Sequence, residues 1–135
     1  MIRPMTTKRI LLLDGRDGSY WMDTLRSAAC TLDGAIEVVD EASLPDIHWQ
    51  DYDLVILNSS VSSDLPSTIS WIRSQDPTAQ IVVFSSAPAW KQAREVMLAG
   101  AIDYAHKSLN KEYILSTLER NLARQASSRR RRGQQ

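Results

Sequence analysis

What this chain lacks narrows it before anything it contains. It holds one cysteine, Cys30, so no disulfide can close within it, which agrees with a reducing compartment. No apolar run approaches the roughly 20 residues needed to cross a bilayer. The segment Met1–Arg9 is polar and basic, without the apolar stretch of a secretory leader. A soluble, cytoplasmic protein is the expectation. The two histidines, His48 and His106, stand far apart with no acid or cysteine at ligand spacing, so a metal site of the zinc type is not expected. There is no internal repeat, and 135 residues fit one domain that can bury a core without staples.

What is present is ordinary in amount and uneven in placement. Apolar residues make up 43% and charged residues 24%, as in soluble globular domains. The formal charge is zero, yet residues 124–132 carry Arg124 and Arg129 to Arg132 with no acid, leaving 11 basic against 16 acidic residues elsewhere, a body near −5. The run Ser127-Ser128-Arg129-Arg130-Arg131-Arg132-Gly133 reads as a disordered basic tail, a solvated end by default. Contact with nucleic acid or an acidic partner would fall to Arg129–Arg132 alone, and four arginines make few phosphate contacts.

Short apolar runs alternate with amphipathic stretches. The runs Arg9–Asp14, Ile36–Val39, Asp53–Leu57, Gln80–Phe84 and Ala101–Ala105 are mostly Ile, Val and Leu without polar alternation, as strands buried on both faces are. Between them, Trp21, Leu25, Ala28 and Leu32 follow one helix face, as do Ala93, Val96, Met97 and Gly100, and then Ile114, Leu118 and Leu122. Ser19 and Asn110 are candidate caps, Pro88 a helix opener, and Gly34 and Gly100 helix stops. The second helical stretch, Ser43–Gln50, contains Pro45 and is predicted to be a single turn; the third lies around Leu65–Ser74. Five β–α units in series predict an α/β fold of the flavodoxin-like kind. It is a three-layer sandwich on a parallel five-stranded sheet of order 2-1-3-4-5.

Ligands of open parallel sheets gather where strands end at the switch in strand order. The residues leaving strands one, three, four and five are Asp14-Gly15, Asn58-Ser59-Ser60, Ser85-Ser86 and His106-Lys107-Ser108: an acid, an amide, a hydroxyl and an amine on one rim. Here the chain resembles the receiver domains of response regulators, over residues 8–124. Leu11-Leu12-Leu13-Asp14-Gly15 is similar to the family's first strand, which usually ends on two acids. Asp53-Leu54-Val55-Ile56-Leu57-Asn58 is similar to the third, which ends on the phosphorylated aspartate. Ile81-Val82-Val83-Phe84-Ser85 matches the fourth with its hydroxyl residue. Gly100-Ala101-Ile102-Asp103-Tyr104-Ala105-His106-Lys107 resembles the Gly-Ala-x-Asp-Tyr-x-x-Lys run before the last helix. The 22-residue step from Ser85 to Lys107 also suits the family.

The resemblance implies a site where acids and the aspartate hold Mg²⁺ while hydroxyl and lysine bind the transferred phosphoryl group. Such chemistry needs hard anionic oxygens and positive charge. This sequence departs from it. Asn58 offers an amide where the nucleophile would be, Gly15 removes the second acid, and Ser108 replaces the proline that follows the lysine. Charge at the three acid positions falls from −3 to −1, leaving Asp14 vestigial. No catalytic residue, no aspartyl phosphorylation and no cofactor are expected, beyond weak Mg²⁺ binding. Tyr104 matches the family's switch aromatic and is expected to be fixed, in the core or at an interface. Cys30 is expected on the apolar side of its helix, Trp21 and Trp71 in packing, and Trp90 buried; an exposed Trp90 would mark an interface.

These readings predict a domain at 8–124 flanked by an N-terminal extension (1–7) and a basic tail (125–135). The expected function is that of a stand-alone pseudo-receiver. It would act in two-component signalling by contact with another signalling protein or with itself, through the fourth helix, fifth strand and fifth helix. Two alternatives remain: phosphate acceptance after deamidation at Asn58-Ser59, and non-covalent anion sensing by Ser85 and Lys107.

Overall fold

The computed structural model describes residues 7–14 and 21–133, with side chains as far as Arg124. Ser19 and Gly15 lie outside the described residues. Strand β1 (Lys8–Leu13) leads to α1 (Met22–Thr31), β2 (Gly34–Val39), two 3₁₀ turns (Glu41–Asp46 and Trp49–Asp51) and β3 (Leu54–Asn58). Then follow α2 (Leu65–Gln75), β4 (Ile81–Ser85), α3 (Trp90–Ala99), β5 (Asp103–His106) and α4 (Lys111–Gly133). All paired strands are parallel, in the order β2-β1-β3-β4-β5.

The sheet has a core on each face because each central strand carries an unbroken run of four apolar residues. Ile10 to Leu13, Leu54 to Leu57 and Ile81 to Phe84 are all buried. Alternate residues point to opposite faces. Leu11, Val55 and Val83 meet the 3₁₀ turns, α2 and α3. Ile10, Ile56 and Val82 meet α1 and α4. Trp21 is fully buried in the second core, stacked on Phe84 with ring centres 4.8 Å apart, and its indole N–H has no hydrogen-bond partner among the described residues.

The second helical stretch is two 3₁₀ turns rather than one: Pro45 cannot donate into an α ladder, and Asp40 caps the first turn at Ser43 N. Helix α1 stops at Asp33, which takes φ 57°, so Gly34 opens β2 instead of closing the helix. Gly34 is needed for close approach, since a Cβ there would lie 3.1 Å from Ala29 O. Gly100 does stop its helix, at φ 126°, and Ala101 N donates back to Val96 O. That closure consumes Ala101, so β5 starts at Asp103 rather than at Ala101.

Three further expectations are corrected. Cys30 is exposed, because the buried face of α1 runs through Leu25, Ala28 and Ala29. Trp90 is 77% exposed, because α3 turns Val96 inward. Helix α4 continues to Gly133, where a disordered tail was predicted. Residues 123–132 contain neither glycine nor proline, and extending a helix already anchored by packing avoids the cost of nucleation. Trp71 is half-exposed and packs edge-on against buried Trp49.

Candidate functional site

The site is built where β1, β3, β4 and β5 end, at the reversal of strand order between β1 and β3. Asp14 follows β1, Asn58 closes β3, Ser85 closes β4 and Lys107 follows β5. The parallel register sets Asn58 beside Phe84 and Ser85 beside His106. Lys107 N donates to Ser85 O at 2.9 Å, tying the ends of β4 and β5 together. Asn58, Ser85 and Lys107 are all buried, and Asp14 is partly exposed.

Asn58 organises the rim. Its Nδ2 donates to Asp14 Oδ1 at 2.5 Å, across 44 residues of sequence. Its Oδ1 accepts from Ser60 N at 3.1 Å and from Ser60 Oγ at 3.0 Å. A backbone N–H can only donate, so the bond from Ser60 fixes which end of the amide is oxygen. Asn58 O also accepts from Val61 N at 2.9 Å, holding the turn after β3, and Ser59 N donates to Phe84 O at 2.9 Å. Ser85 Oγ accepts from Ala87 N at 3.2 Å. At position 108, Ser108 Oγ accepts from Asn110 N, and Asn110 Oδ1 in turn caps α4 at Glu112 N and Tyr113 N.

This donor set does not fit Mg²⁺. The ion takes near-octahedral oxygen ligands, normally through one or two carboxylates. Asn58 directs a nitrogen, not an oxygen, at Asp14, and its oxygen is engaged by Ser60. Position 15 is glycine and has no side-chain donor. Among the described residues no group of three His, Cys, Asp or Glu could hold a metal ion. His48 and His106 are both exposed, at opposite ends of the sheet.

Tyr104 packs against the α2–α3 core. Its hydroxyl accepts from Ala89 N at 3.2 Å and donates to Gln92 Oε1 at 2.5 Å, holding the first turn of α3 from β5. The motif located Tyr104; its partner Gln92 belongs to no motif and was not singled out. Two anchors were also missed. Asp103 accepts from Arg120 Nη2 at 2.6 Å and from buried Asn121 Nδ2 at 2.9 Å. Burial alone would raise the Asp103 carboxyl, but the hydrogen bonds from Arg120 and Asn121 outweigh it and hold it below the usual range. Arg73, partly buried, donates from Nη2 to Gly100 O at 2.6 Å and from Nη1 to Pro77 O at 3.0 Å and to Ala79 O. Desolvation lowers its guanidinium from the usual value.

No helix among the described residues is long and apolar enough to cross a membrane. The sequence matches no protein-family model and no curated protein. Solved structures do resemble it. The signal receiver domain of an HD domain-containing protein from Pseudomonas fluorescens Pf-5 superposes with TM-score 0.76 at 21% identity, covering 97% of this chain and 98% of that one. HP1043, an orphan response regulator of H. pylori, gives TM-score 0.71 at 21% identity over 88% and 99%. The beryllofluoride-activated NtrC4 receiver domain, solved as a dimer, gives 0.75 at 16% over 88% and 99%. The five parallel strands in the order 2-1-3-4-5, with helices on both faces, give this chain the flavodoxin-like fold of response-regulator receiver domains.

Proposed function

We propose that the chain is a signal-transduction module of receiver fold that works without aspartyl phosphorylation, through protein–protein contact on the α3-β5-α4 face. The observation that carries this is the hydrogen bond from buried Asn58 to Asp14. The lone pair of an amide nitrogen is delocalised into its carbonyl and does not attack phosphorus as a carboxylate does, and this N–H supplies Asp14 with the polar partner that a cation would otherwise provide. Gly15 removes a further metal ligand. Loss of nucleophile and metal ligand together outweighs the retained Ser85 and Lys107.

Recovery of a nucleophile by deamidation has little support. Ring closure needs Ser59 N to attack Asn58 Cγ, and that N–H is engaged by Phe84 O while the Asn58 amide is held at both ends.

The contact face is supported by its surface. Trp90, Met97 and Leu98 on α3 and Leu109 and Tyr113 around the start of α4 are exposed. Exposed aromatic and aliphatic side chains grouped in this way are the usual anchors of protein interfaces. The experiment is incubation with acetyl phosphate, or with beryllofluoride, in excess Mg²⁺, followed by intact mass and amide NMR. Unchanged mass and spectra are expected. A stoichiometric adduct at Asn58 would overturn the proposal.

A further inference from the structure

Charge is sorted along the sheet. From Ser27 to Ile72 there are eight Asp or Glu and no Lys or Arg; from Arg73 onward there are eleven Lys or Arg and five Asp or Glu. The strand order and its connections put six of the first eight acids, from Asp33 to Asp51, on or beside β2 and the 3₁₀ turns, and much of the second set at the β5 edge. Asp53 and Asp64 lead into central β3 and α2. The two ends also differ within one helical layer, where the 3₁₀ turns lie over the β2 side, α2 lies centrally and α3 lies over the β5 side. Asp40, Glu41, Asp46 and Asp51 are exposed on or beside the 3₁₀ turns, around exposed Pro45. On α3, Trp90 and Leu98 are each 77% exposed, with exposed Lys91, Arg94 and Glu95 between them, a net positive stretch.

We propose that the apolar and basic face of α3 docks onto the acidic 3₁₀ edge of a second copy of this chain, head to tail. This rests on the reading that the α3 face makes protein contacts, and it names the partner. Complementarity decides between pairings. Two α3 faces set against each other by a two-fold axis would bring together two faces of net positive charge, each with Lys91, Arg94 and Glu95, and leave the acidic edge unmatched. Head-to-tail contact sets positive against negative and covers Trp90. Because the two faces lie at opposite ends of one layer, the contact is heterologous and propagates into short chains rather than closing as a dimer.

The test is sedimentation velocity on the full chain, from a few micromolar to about 200 µM, in about 50 mM and about 500 mM NaCl. Species larger than a dimer are expected at high concentration in low salt, with the mean mass falling toward the monomer in high salt. Lys91→Glu/Arg94→Glu and Glu41→Lys/Asp46→Lys alter exposed positions only, and melting curves verify that both variants fold. Each is expected to sediment as a monomer alone, and an equimolar mixture to regain the larger species.

A chain monomeric at about 200 µM in low salt overturns the proposal and leaves the phosphorylation result untouched. Self-association retained by Glu41→Lys/Asp46→Lys alone overturns it in favour of a two-fold dimer. Association that is lost when Arg129 to Arg132 become Ser, yet survives Lys91→Glu/Arg94→Glu, overturns it in favour of the C-terminal arginines.

Discussion

Asp14 Oδ1 and Asn58 Nδ2 lie 2.5 Å apart, one at the end of β1 and the other at the end of the adjacent β3. The contact is sound only while position 58 carries an N–H. Asn58→Asp would set two carboxylates against each other, raising the pKa of one of them. An acid raised in the folded state costs stability above its unfolded pKa and regains it as pH falls through the folded value. The variant should lose about 1–3 kcal/mol near neutral pH and recover much of it near about pH 5. Urea denaturation at the two pH values, beside the parent chain, measures this; equal loss at both would refute the mechanism.

Arg73 and Gly100 form one mechanical unit. Arg73→Ala strips hydrogen bonds from the carbonyls of Pro77, Ala79 and Gly100 and should cost about 2–4 kcal/mol. Gly100→Ala forces a side chain to φ 126° and sets its Cβ 2.9 Å from Arg73 Cγ, for about 1–3 kcal/mol. The steric part vanishes once Arg73 is truncated. The double variant should therefore be more stable than the summed single losses predict, by about 0.5 kcal/mol or more. Strict additivity in a denaturation cycle would show that the two residues act separately.

Asp103 sets part of the acid limit. Its carboxyl is held below its ordinary value, so its contribution is present above the unfolded pKa of about 3.9 and is lost as pH falls toward the folded value. Asp103→Asn should lower stability at neutral pH and flatten the stability curve between about pH 5 and pH 3. Thermal melts across that range test it. An unchanged acid slope would assign the loss to other carboxylates.

Tyr104→Phe keeps the ring in the core and removes the hydroxyl that serves Ala89 N and Gln92. The expected loss is about 1 kcal/mol, with faster amide exchange at Ala89 and in the first turn of α3. Exchange unchanged there while global stability falls would place the effect in packing alone.

Much of the fold could be read from hydrophobic pattern. The central strands are unbroken apolar runs, and Leu65, Ile69 and Ile72 or Ile114, Leu118 and Leu122 repeat at helical spacing. Boundaries were harder, because they depend on single hydrogen bonds such as Ala101 N to Val96 O. The rim residues could be located because strand ends are topologically special. Their wiring could not, since Asn58 to Asp14 spans 44 residues and Tyr104 to Gln92 follows no periodicity. Cys30 misled because it sits one position past the buried pair Ala28 and Ala29. Trp90 misled because its size suggests burial, while its place at the start of α3 turns it outward.

The Asn58–Asp14 pair also bears on time. An acyl phosphate hydrolyses, and that decay limits how long such a site stays switched. A hydrogen bond between an amide and a carboxylate contains nothing that water can cleave to reset it. On the function proposed here, the duration of a signal passes from covalent chemistry to the dissociation rate of the complex. Side chains such as Trp90 and Leu98, rather than the rim of the sheet, would then set how long the message lasts.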